Sequence, residues 1–147
     1  MYELLRKPAD LDRLRPFIEH CENCMAAFLR GFFDSEGSIS EAGEIKVSNT
    51  DLELLRYIGR LLGRLGIETG EPRLMAPKGT PTYFPGRKKT YKKRRDCFIM
   101  LIRMHCNPTY HLRVGFTIKR KQERLEQYVR RRQATQPLSQ FSLLFIP

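Results

Sequence analysis

From residue 23 to residue 65 the apolar positions change their period twice, and each change marks a new element. Asn23 to Ser35 reads as a mostly apolar helix in which Ala27, Gly31 and Ser35, spaced by four, share one face and let a second backbone approach. Gly37 stops that helix, and Ser38-Ile39-Ser40, a turn at Glu41-Ala42-Gly43 and the run Glu44 to Asn49 then predict a β-hairpin. Ile39, Ile45 and Val47 belong on its inner face, and Ser40, Glu44, Lys46 and Ser48 point outward. Helical spacing resumes at Leu55, Ile58, Leu62 and Leu65 and ends at Gly66, with Thr50 as N-cap and Glu53 reaching back in a capping box.

Upstream, Asp10 is placed to cap a short helix carrying Leu11, Leu14, Phe17 and Ile18, which Pro16 is expected to kink or divide. Downstream, strands are expected near Thr69 to Met75 and over the apolar run Asp96 to His105. A short helix from Asn107-Pro108 through Val114, a turn at 115–118 and a charged helix from Lys119 to Arg132 complete the order α, β, β, α, β, β, α, α. That order is an α/β fold of the α+β type. The expected division is a helical extension over 1–22, one domain over 23–132 and a tail over 133–147, whose apolar run Phe141 to Pro147 suits packing on the domain or a partner.

Charge narrows the function. With 27 Lys and Arg against 16 Asp and Glu, the net charge of +11 favours an anionic partner. Nucleic acid is expected over membrane, because no apolar run approaches the roughly 20 residues that span a bilayer. The first residues lack the apolar core of a signal peptide, so an intracellular location is expected. Four cysteines are too few for a disulfide scaffold. His20-Cys21-Glu22-Asn23-Cys24 has the CxxC spacing of a zinc or redox half-site, and Cys97, His105 and Cys106 are the candidates for further ligands. They lack paired spacing, which leaves packed free thiols as the plainer reading.

The segment Leu29-Arg30-Gly31-Phe32-Phe33-Asp34-Ser35-Glu36-Gly37 joins a close-packing helix to an acid-bearing end, and it resembles the motif of the LAGLIDADG homing endonucleases. Arg30 and Ser35 stand where small or apolar residues are usual in that family, and Glu36 stands where Asp is usual. The element order extends the resemblance over residues 23 to 132, and the motif occurs once, as in the homodimeric members. The resemblance implies the LAGLIDADG endonuclease fold, an αββαββα core with an antiparallel DNA-binding saddle. It implies a homodimer through Ala27, Gly31 and Ser35, which brings two Glu36 carboxylates together, and a long pseudo-palindromic double-stranded DNA target.

By the same resemblance, Glu36 and the backbone carbonyl of Ser35 hold Mg2+ or another divalent cation such as Mn2+. Asn49 falls where relatives place a polar residue that orients a water nucleophile, and Lys119 falls on the catalytic lysine. Asp34 matches the other acid of the motif, at a position that more often supports the helix end. A cation near the scissile phosphate stabilises developing charge. Arg120 and Lys121 are candidate DNA-backbone contacts. On the saddle, the outward-facing Ser38, Ser40, Lys46 and Ser48 are further candidate DNA contacts.

From Arg73 to Arg95 the chain has nine basic residues, Arg73, Lys78, Arg87, Lys88, Lys89, Lys92, Lys93, Arg94 and Arg95, and no acidic one. Interspersed Tyr83, Phe84 and Tyr91 and several Pro and Gly suggest a loop or hairpin tip that tracks phosphates and is ordered on DNA. The expected function is magnesium-dependent, site-specific double-strand DNA cleavage leaving short 3′ overhangs, by a protein of an intron or other mobile element. The rival is a non-cleaving relative, an intron-splicing maturase or a transcription regulator.

Overall fold

The computed structural model describes residues 10–135; the apolar run Phe141 to Pro147 lies outside them. The helices are α1 (Leu11–Ile18), α2 (Glu22–Glu36), α3 (Leu52–Arg64), α4 (Asn107–Arg113) and α5 (Lys119–Thr135). The strands are β1 (Gly37–Ile39), β2 (Ile45–Asn49), β3 (Arg73–Ala76), β4 (Pro81–Phe84), β5 (Lys89–Lys92) and β6 (Cys97–Leu101). Four of them form an antiparallel sheet in the order β1-β2-β6-β3, and β4 and β5 pair as a separate ribbon.

Alternation along β1 and β2 sorts the sheet into two faces. Ile39, Ile45 and Val47, with Met100 of β6, are almost fully buried among Leu29 and Phe33 of α2 and Leu55, Ile58 and Leu62 of α3. On the opposite face the register aligns Ser38, Lys46 and Leu101 in one cross-strand row and Ser48, Ile99 and Arg73 in the next. A sheet with helices against one face only leaves the other free for a ligand.

Several boundaries differ from those the sequence suggests. Pro16 lies within an undivided α1, and Phe17 is exposed while Ile18 enters the core. The cap of α3 is Asp51, not Thr50: its carboxylate accepts from the Leu54 amide at 3.0 Å, and Glu53 pairs with Arg56 at 2.8 Å instead of reaching back. The strand expected from Thr69 reduces to one bridge, Thr69 to Ile102, before Pro72, with β3 starting at Arg73. The last strand ends at Leu101, and Met104–Cys106 turns as a 3-10 segment into α4. Part of the basic segment is a regular hairpin, with Pro81 opposite Lys92, Phe84 opposite Lys89 and a 3-10 turn, Pro85–Arg87, at its tip.

Contacts from distant elements fix the first hairpin. Gly43 has φ +91°, and a Cβ there would meet the Tyr128 ring at 2.3 Å, so glycine is required both by conformation and by space. The buried amide of Asn107 donates to the Gly43 carbonyl at 2.6 Å. From α5, Arg124 donates to the Ile39 carbonyl and Arg131 to that of Glu41. The hairpin beside the end of α2 is thereby held from α4 and α5.

Candidate functional site

The end of α2 is where packing and charge converge. Phe33, fully buried, meets the Tyr110 ring edge-on at 5.4 Å, which anchors the last turns. Gly37 closes the helix through its amide to the Phe33 carbonyl. A Cβ on Gly37 would lie 2.7 Å from that oxygen, so the sharp passage from helix to β1 depends on glycine.

Helix α5 is pinned to the same place by Asp34. Its carboxylate accepts from the amides of Thr117 at 3.0 Å and Ile118 at 3.3 Å, just before α5 begins. A carboxylate there favours the positive end of the helix dipole. The second acid of the motif is therefore spent on joining two helices.

Lys121 makes the reciprocal link. Its ammonium donates to the carbonyls of Phe33 (3.1 Å), Asp34 (2.6 Å) and Gly37 (2.7 Å), at the negative end of α2. Burial lowers its pKa, with Asp34 opposing the shift. This corrects the expectation that Lys121 touches DNA: the side chain is buried, and its ammonium is held by the protein itself. A sequence signal existed, since Lys121 shares its spacing of four with Leu125 and Val129, the buried stripe of α5.

Glu36 is different. It is the last residue of α2, exposed, and among the described residues it has no hydrogen-bond or ion-pair partner. Of the four consecutive carbonyls from Phe33 to Glu36, Lys121 takes the first two and leaves that of Ser35, in the turn where a helix has no further donors to offer. A free carboxylate beside a free carbonyl is an oxygen donor set suited to a hard divalent cation. These are two donors, so phosphate, water or a second copy must supply the rest.

Lys119 begins α5 at this end of the molecule, largely exposed, with its ammonium 3.9 Å from Glu123. Arg120 is also exposed. Asn49 departs from expectation: it lies on the core side of β2 with 4% exposure. Its carbonyl oxygen accepts from the Asp51 amide at 2.9 Å, while its amide nitrogen has no partner among the described residues. Asn49 therefore shapes the turn into α3 and does not stand on the face of Lys46 and Ser48. The hydroxyl of Ser40 is likewise used within the hairpin turn, accepting from Glu44 at 3.0 Å. Ser38 is exposed, and Lys46 and Ser48 are half-buried on the open face, Lys46 being 4.0 Å from Glu44.

Among the described residues, the small-residue face of α2 carries no cover. Ala27, Gly31 and Ser35 are all exposed, and a Cβ on Gly31 would meet nothing within 4 Å. The basic segment is equally open. Lys93 is half-buried, the other eight cations are exposed, and among the described residues none of the nine forms an ion pair. Tyr83 and Phe84 are exposed beside them, and Phe84 meets Tyr91 edge-on at 5.5 Å.

The cysteines divide into two groups. His20, Cys21 and Cys24 cluster at the start of α2, whereas Cys106 and His105 gather with Glu68, so the two halves are not one site. Cys97 is buried and belongs to neither. The hydrogen bond from Cys24, followed by that from His20, lowers the Cys21 pKa to about 7.

Known proteins are similar to this chain in sequence. Over 100 residues the chain is 38% identical to an uncharacterized protein of Methanocaldococcus jannaschii, a match covering 67% of this chain and 35% of that protein. Over 108 residues it is 31% identical to a DNA polymerase of Thermococcus litoralis, covering 71% of this chain and 6% of the polymerase. The chain thus spans about a third of the first relative's length and a small fraction of the second's. A crystal structure of an I-DmoI variant in complex with its target DNA in the presence of Mg aligns with a TM-score of 0.49 at 14% identity, covering 70% of this chain and 48% of that one. The LAGLIDADG-like domain family matches residues 23–105, from the first turn of α2 into the 3-10 segment that follows β6, and the chain belongs to that family.

Proposed function

We propose that the chain is a homing endonuclease subunit, cutting both strands of a specific DNA duplex with a divalent cation. The observation that carries this reading is the Glu36 carboxylate, unpaired among the described residues, at the foot of a helix whose small-residue face those residues leave open. One Glu36 per chain calls for a second copy of the motif. Apposition of two α2 faces through Ala27, Gly31 and Ser35 puts two such carboxylates at one axis, facing a long pseudo-palindromic duplex.

Within each copy, Glu36 and the Ser35 carbonyl would hold the magnesium or manganese ion, which would supply charge stabilisation for phosphodiester hydrolysis. Lys119 offers a cation to the scissile phosphate. Ser38, Lys46, Ser48 and Arg73 line the open sheet face, and the β4–β5 ribbon supplies charge to the DNA backbone and arginine to base edges. The likeness to a short part of a much longer DNA polymerase agrees with a mobile domain, carried by an intron or lodged within a host protein.

The experiment is incubation of the full chain with magnesium and a plasmid library of candidate insertion sequences, reading linear product. Linearisation of particular clones, with short 3′ overhangs at the ends, is the expected result. One observation favours a second reading, that of a maturase or regulator which binds without cutting: Asn49 is turned into the core, away from the open face. Tight, sequence-selective binding with no cutting in any divalent cation establishes that alternative.

A further inference from the structure

The junction of α1 and α2 holds a second, chemically different set of ligands. Cys21 is the N-cap of α2 and accepts the Cys24 amide on its sulfur at 3.2 Å. The two sulfurs are 3.0 Å apart, and Cys24 Sγ is 3.9 Å from His20 Nδ1. All three ligand atoms lie within 4.8 Å of one another, and His20 and Cys21 are exposed to solvent.

We propose that His20, Cys21 and Cys24 bind one zinc ion per chain, at the end of α2 opposite Glu36, as a structural clip between α1 and α2. Two sulfurs and an imidazole nitrogen are the donors that zinc takes in preference to magnesium. Zinc–sulfur bonds of about 2.3 Å set a tetrahedral S···S separation of about 3.8 Å, so the pair must open by about 0.8 Å. With a zinc–nitrogen bond of about 2.0 Å the S···N separation is about 3.5 Å, close to that already present. Three protein ligands leave a fourth position for water. The Cys24 amide bond to the Cys21 sulfur supplies an outer-shell donor that holds that thiolate in place.

The group at Glu68, His105 and Cys106 is a poorer candidate. It offers a single sulfur, from a buried cysteine, and its imidazole is already 3.4 Å from the Glu68 carboxylate. What zinc would do at the first group is mechanical. It ties His20, outside the helix, to the first turn of α2, the helix whose far end carries Glu36.

The test uses the full chain, purified under reductant, stripped of metal and titrated with cobalt or zinc alone. The expected result is one cobalt per chain with a sulfur-to-cobalt charge-transfer band, and protection of two thiols from a thiol reagent by zinc. Cys21→Ser and Cys24→Ser each abolish the band, and His20→Ala weakens affinity by about tenfold or more, a loss of at least about 1.4 kcal/mol. Glu36→Gln and Cys106→Ala leave it unchanged, which separates this site from the carboxylate end of α2. Each variant is checked for native circular dichroism. A folded parent with no thiolate band overturns the proposal. So does a band abolished by Cys106→Ala instead, or a Cys21–Cys24 disulfide in protein kept under reductant.

Discussion

The foot of α2 and the β4–β5 ribbon carry opposite kinds of order. At the foot, Asp34 and Lys121 cross-link α2 and α5, and Phe33 and Gly37 leave no room to move, so the exposed Glu36 is held on a rigid base. The ribbon has its own ladder of backbone pairs but sends most of its side chains, cationic and aromatic, into solvent. Reaction chemistry demands atoms placed in advance, whereas a surface that follows a DNA backbone gains from side chains free to adjust. The difference teaches where substitution should break the fold and where it should change only the partner.

The largest effect is expected from the foot. Phe33→Ala should cost about 3–5 kcal/mol in urea unfolding, as for a fully buried aromatic, while Tyr83→Ala on the ribbon should stay within about 0.5 kcal/mol. Equal losses would erase the distinction. Within the foot, Lys121→Met removes a charged donor from three carbonyls, of which that of Phe33 keeps the Gly37 amide, and should cost about 1–3 kcal/mol. Lys119→Met, two residues earlier and exposed, should change stability by less than about 0.5 kcal/mol while slowing cleavage; a reversal of the two would show that the lysines have been assigned the wrong way round.

The ribbon should answer to salt. Replacing Lys88, Lys89 and Lys92 with Ala should weaken DNA binding and lower the slope of log affinity against log salt by about one unit for each phosphate no longer neutralised, with unfolding unchanged. An unaltered slope would remove the ribbon from the interface. The smallest change is expected in binding when metal is removed. Chelation should stop cutting but leave DNA affinity within about a factor of three, since phosphate contacts dominate affinity.

Much of this was legible because period is local. The helix of the motif, the hairpin and α3 follow from apolar spacing alone, and Ile39, Ile45 and Val47 are buried as alternation demands. The cap of α3 shifts by one residue because Thr50 and Asp51 both suit the position and Asn49 binds the Asp51 amide. The ribbon's pairing was hidden by Pro81, Pro85, Gly79 and Gly86, which read as loop although β4 begins at one proline and turns at another. At the site, the sequence marks Glu36 by its place in the motif. Two further signals were local, since Lys121 shares its spacing of four with Leu125 and Val129 and Asn49 continues the inward alternation of Ile45 and Val47; the carbonyls that hold Lys121 were not legible, because they lie far away in the chain.

In the proposed function Glu36 serves chemistry and the open sheet face serves grip. With a cleaved site in hand, the decisive measurement is single-turnover cutting by parent and Glu36→Gln on DNA that each has already bound, in magnesium. The account predicts binding within about twofold of the parent and cutting slower by roughly a hundredfold or more, as for loss of a metal ligand. Undiminished cutting by bound Glu36→Gln would contradict it.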